Sequence, residues 1–85
     1  MSRAQQLAAA FKACTGPFPY RDVVRLLGYL GFEETATGGG SRRRFVRSEG
    51  EHKQIIRLHE PHPGKEIHYY MVKQIQEQLE DQGLL

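Results

Sequence analysis

Apolar positions along the 85-residue chain change their spacing twice, dividing it into helical and extended stretches. Leu7, Phe11 and Cys14 recur at i, i+4 and i+7 behind Ser2, a residue suited to capping a helix. They predict a helix over residues 2–13 with a narrow apolar stripe. Thr15-Gly16-Pro17 breaks it. Pro19 then sits near the first turn of a second helix, where its missing N–H costs nothing. Val23, Leu27 and Leu30 form that helix's stripe, widened by Val24 and Leu26, and Gly31 is placed to stop it in the left-handed conformation.

From Phe32 the period falls to two. Residues 32–36 predict a short strand, Gly38-Gly39-Gly40 a turn, residues 42–48 a second strand and residues 53–59 a third, with Glu49-Gly50-Glu51 turning the chain between the last two. Ile56 and Leu58 share one face of the third strand, and Lys53, Ile55, Arg57 and His59 share the other. Burying Phe45 puts Arg43 and Arg47 on its face of the second strand, near the edges, and Arg42 and Arg44 on the opposite face. Two prolines and a glycine make residues 61–64 a loop. Val72, Ile75 and Leu79, with Met71 beside them, predict a last helix over residues 68–82, ended by Gly83. The order is helix, helix, three strands, helix. The last two helices can cover one face of an antiparallel sheet and leave the other for function.

Length and composition allow one small domain: hydrophobic residues make up 39% of the chain and charged residues 26%, a balance that suits a folded, soluble protein. No apolar run approaches the ~20 residues of a membrane span. The opening MSRAQQLAAAFKAC has too short an apolar centre for a signal peptide. A single cysteine, Cys14, neither staples the fold nor builds a metal site, and reads as a small buried residue on the first helix. These features point to a cytoplasmic protein.

Charge changes the picture more. Between Arg42 and Arg57 six basic residues stand against two acids, whereas one lysine stands against three acids from Lys73 to the end. A basic middle of this kind suits a polyanion, because arginine grips phosphate in a bidentate fork. GGGSRRRF lacks the Lys-Ser/Thr ending of a phosphate-binding P-loop and leads into a strand, which rules against a nucleotide site. The bland alternative is a hairpin turn leading into a solvated charged strand. The four histidines show no metal-ligand spacing, so neither a metal nor another cofactor is expected. Histidine beside arginines suits metal-independent RNA cleavage: the imidazole takes a 2′-OH proton and cations stabilise the charge that develops. His59 and His62 are the candidate bases. Otherwise His59 is a strand-end residue and His62 a turn residue.

Four stretches in order, "VVRLLGYLGFEE", "GGGSRRRFV", "LHEPHPGKEI" and "EDQGLL", resemble the HicA family of prokaryotic toxins. The resemblance runs from about Phe18 to Leu84. It implies an α+β, double-stranded-RNA-binding-domain-like fold (helix, three strands, helix), with residues 1–17 an accessory helix and 18–85 the RNA-binding domain. It also implies an mRNA-cleaving toxin neutralised by a HicB-type antitoxin. In one respect the chain departs from the family, whose catalytic histidine follows Gly-Ser. Here that place holds Arg42, and arginine stays protonated at physiological pH and cannot be a general base. Gly40, Ser41, Arg42, Arg43, Arg44, Arg47, Lys53, Arg57 and Lys65 are the expected RNA-binding residues. Three functions follow: an endonuclease using His59 or His62, an RNA-binding module without cleavage, or a subunit whose arginine strand meets an acidic protein.

Overall fold

The computed structural model describes residues 2–35, 42–61 and 65–85. These form three helices, α1 (Arg3–Ala13), α2 (Tyr20–Tyr29) and α3 (Tyr69–Asp81). The strands are β1 (Phe18–Pro19), β2 (Glu33–Thr35), β3 (Arg42–Glu49), β4 (His52–His59) and β5 (Glu66–Ile67). The predicted triglycine turn, with Gly40 and Ser41, and His62 of the proline loop lie outside the described residues.

Helix ends form where the sequence supplies the chemistry. Ser2 and Gln5 make a reciprocal capping box, with the Gln5 N–H donating to Ser2 Oγ and the Ser2 N–H to Gln5 Oε1, both at 3.1 Å. Gly31 takes φ +96° after α2. There the Phe32 N–H reaches the Leu27 carbonyl at 2.9 Å and the Gly31 N–H the Gly28 carbonyl at 3.1 Å. Gly83 repeats the arrangement after α3, at φ +74°, with Leu84 N–H on the Leu79 carbonyl at 2.8 Å. Both are Schellman ends, which satisfy carbonyls that the helix itself leaves open.

The main sheet runs β2-β3-β4, antiparallel throughout. Its β3–β4 hairpin turns through Gly50 at φ +60° and Glu51. Phe45 pairs with Ile56, and Arg43 with Leu58, on the face that α2 and α3 cover. This is the helix–three strands–helix fold of the double-stranded-RNA-binding-domain type, with α1 added in front. The register keeps Arg43, Phe45 and Arg47 on the side of Ile56 and Leu58, and sets Arg42 and Arg44 with Lys53, Ile55, Arg57 and His59, the faces that alternation predicts.

Three features differ from expectation. Phe18 and Pro19 pair with Ile67 and Glu66 as a second, two-stranded sheet, and the Tyr20 N–H donates to the Lys65 carbonyl at 2.9 Å. Pro19 is the N-cap residue of α2, next to its first turn as expected. Cys14 is the half-buried C-cap of α1, not a buried helical residue. Finally, α1 packs more deeply than its narrow stripe suggests. Phe11 is fully buried and meets Phe18 edge to face at 5.1 Å. From α3, the Gln76 side-chain amide donates to the Phe11 and Cys14 carbonyls at 2.8 and 3.1 Å, closing the end of α1.

Truncating Phe11 to alanine removes a buried ring from the middle of this core. The expected cost is about 3–5 kcal/mol of unfolding free energy, measured by urea denaturation followed by circular dichroism.

Candidate nucleic-acid interface

The strand register sorts the predicted site residues into two groups. On the face turned away from the helices, Arg42 stands opposite His59, Arg44 opposite Arg57, Val46 opposite Ile55 and Ser48 opposite Lys53. From β2, Glu33 pairs with Val46 and Thr35 with Arg44. Directly opposed side chains on neighbouring strands have β-carbons about 5 Å apart. Arg42, Arg44, Lys53, Arg57 and His59 therefore occupy one surface, and Glu33 is the acid on that face among the described residues. Val46 and Ile55 floor a hollow of about 450 Å³, rimmed by Glu33, Thr35, Arg44 and Lys53.

Arg44 and Arg57 are like charges directly opposed, a pairing that disfavours the free fold. Among the described residues Arg44, Arg57 and Lys53 form no ion pair. Arg44 is instead tied by Nε to Thr35 Oγ1 at 3.2 Å. An anion laid across the pair would relieve the repulsion, and a phosphate suits two guanidinium groups.

Arg43 and Arg47 lie on the helix side. Arg43 reaches Glu60 at 3.1 Å and Glu34 at 3.8 Å. Arg47 donates from Nε to the Leu30 carbonyl at 2.9 Å and from Nη1 to Glu49 at 2.8 Å and Gln54 Oε1 at 3.0 Å. It helps close the end of α2, and its hydrogen bond and charge hold the Glu49 carboxyl below its usual range. Neither arginine joins the outer row. Lys65 is exposed, beside Arg43 along a cleft of about 860 Å³ at the start of α2. Burial, then the Glu34 and Glu60 carboxylates, push the Tyr20 phenol in that cleft above its usual 10.0. Three acids, Asp22, Glu34 and Glu60, offset most of the four bases around the cleft, and Glu34 and Glu60 are paired with Arg43, whereas the smaller hollow sets Arg44 and Lys53 against Glu33 on a surface that also carries Arg42 and Arg57. The hollow is therefore the better anion site. Among the described residues no group of three or more His, Cys, Asp or Glu side chains could hold a metal ion. No helix there is long and apolar enough to cross a membrane.

The two-residue sheet, and the partners that hold Arg43 and Arg47 on the helix side, were beyond sequence reasoning. Alternation gave the face of each arginine, but its partners come from residues up to 17 positions away. The opposed charges yield a measurable consequence. Arg57→Gln removes the repulsion and is expected to raise the stability of the free protein by about 0.2–1 kcal/mol, read from the urea midpoint in low salt.

Searches of curated proteins and of solved structures found no significant match. Comparison with protein families matched residues 20–84 to the HicA toxin of bacterial toxin–antitoxin systems. That match covers most of the chain, from the first residue of α2 to the glycine-terminated end of α3, and includes every strand of the main sheet. With the helix–three strands–helix order in place, the chain belongs to the HicA toxin family and is the toxin component of a toxin–antitoxin pair.

Proposed function

We propose that this toxin binds RNA on the outer face of its sheet and cleaves it without a metal, with His59 as the base. The observation that carries this reading is the register pair Arg42–His59. The family's histidine position holds Arg42, which cannot accept a proton. His59 stands directly across on the neighbouring strand and the same face, so an imidazole sits beside the place from which the family's own would act. Histidine accepts protons near neutral pH. In the proposed step its imidazole takes the 2′-OH proton and the 2′-oxygen bonds to phosphorus. The bond to the 5′-oxygen breaks, and that oxygen takes a proton from water. Arg42, Arg44 and Arg57 offset the negative charge that builds on the phosphate oxygens. His62 is the alternative base.

Gly40, Ser41 and Lys65 flank this surface in sequence and are assigned to the RNA contact with Lys53. Arg43 and Arg47, held by protein partners, are assigned to the fold. The working unit is residues 18–85, buttressed by α1. Its substrate is mRNA, its compartment the cytoplasm and its neutralising partner a HicB-type antitoxin.

A second reading has one observation in its favour: an arginine at the inherited base position suits an RNA-binding module that does not cut. Purified protein in excess EDTA separates the two. Single-stranded RNA is expected to yield 2′,3′-cyclic phosphate or 3′-phosphate ends, and His59→Ala to abolish this with little change in melting temperature. Loss with His62→Ala alone transfers the role to His62. Tight binding with no cleavage leaves the module. In the same preparations, replacing Arg42 and Arg44 together by alanine is expected to flatten the salt dependence of binding by about 0.7 per lost phosphate contact. An absence of salt-sensitive RNA binding turns attention to an acidic protein partner.

A further inference from the structure

We infer that Thr35 is a positioning residue that shapes Arg44 and Arg57 into a seat for one RNA phosphate. The inference rests on the RNA-binding reading of the outer face.

Arg44 lies on the central strand, with Thr35 opposite it on β2 and Arg57 opposite it on β4. The Thr35 hydroxyl works in both directions: it donates to the Arg44 carbonyl at 3.3 Å and accepts from Arg44 Nε at 3.2 Å. Its one proton is committed to the carbonyl, so its lone pairs are left for the guanidinium. Three consequences follow. The Arg44 head is drawn toward β2, away from the like charge of Arg57. Its Nε is occupied, which leaves the edge formed by the two terminal nitrogens for a ligand. Fixing the side chain before binding also lowers the entropy that a bidentate grip on phosphate must overcome. Arg57, exposed and without an ion pair among the described residues, supplies the second arm. A single phosphate oxyanion between the arms meets two guanidinium groups where the free protein has repulsion.

Valine matches threonine in shape and strand preference but lacks the hydroxyl. Thr35→Val keeps the Arg44 charge on the face and removes only its orientation. Binding of fluorescein-labelled oligouridine, followed by anisotropy, is expected to weaken about three- to tenfold with its salt slope nearly unchanged. Arg44→Ala should weaken binding and also flatten the slope by about 0.7. Thr35→Ser, which restores the hydroxyl, should return affinity toward that of the natural protein. Urea denaturation checks that each variant is folded, and Thr35→Ala replaces the valine variant if that one is not. Should Thr35→Val bind as tightly as the natural protein while Arg44→Ala is weakened, the positioning role is wrong and the RNA face stands. A loss that serine does not rescue also overturns it. If neither Thr35→Val nor Arg44→Ala changes binding, the RNA face itself is wrong.

Discussion

Burial of Phe45 is the constraint on which the arrangement of charge depends. It lies on the central strand, with Glu34 and Ile56 as its direct neighbours, and is 2% exposed. Side chains on a strand alternate, so turning Phe45 inward decides the direction of every arginine around it. Arg43 and Arg47 go with it to the helix side, where acids and carbonyls hold them. Arg42 and Arg44 go outward. A slip of one residue in the β3 register would exchange the two sets and put Phe45 in water. The same apolar residue that anchors the core thus selects which cations are offered to a ligand.

Much of this was legible from spacing. The α2 stripe, the Gly31 and Gly83 stops and the alternation through Phe45 and Ile56 are local signals, and each feature depends on neighbours within a few positions. What was not legible depends on distant pairing. The β1–β5 ladder is two residues long on each side, too short to carry a period, and joins Phe18 to Ile67. The depth of Phe11 follows from Phe18 and α3, not from the composition of α1. The site was half legible. Alternation put His59 on the face of Arg57, and the family pattern marked Arg42 as a departure. Only the pairing register sets His59 against Arg42 and Thr35 against Arg44.

The two faces of the sheet handle positive charge differently. Around Arg43 and Arg47 the protein supplies its own acceptors, so the guanidinium groups serve helix ends and strand edges. Such partly exposed pairs contribute modestly to stability. On the outer face Arg44 and Arg57 repel each other and Val46 and Ile55 are half-buried, an arrangement that adds little to the free fold. Surfaces of this kind, poorer for folding than the chain could make them, are where function is expected to conflict with local stability.

The contact between Gln76 and the end of α1 joins residues 65 positions apart. Synthesis proceeds from the amino terminus, and long-range contacts wait for both partners. When α1 leaves the ribosome its final carbonyls have no α3 to meet, and Phe11 and Phe18 precede most of the residues that will enclose them. The last helix is therefore the clasp on a segment made well before it. A chain without residue 76 carries the arginine strands but lacks the amide that closes α1.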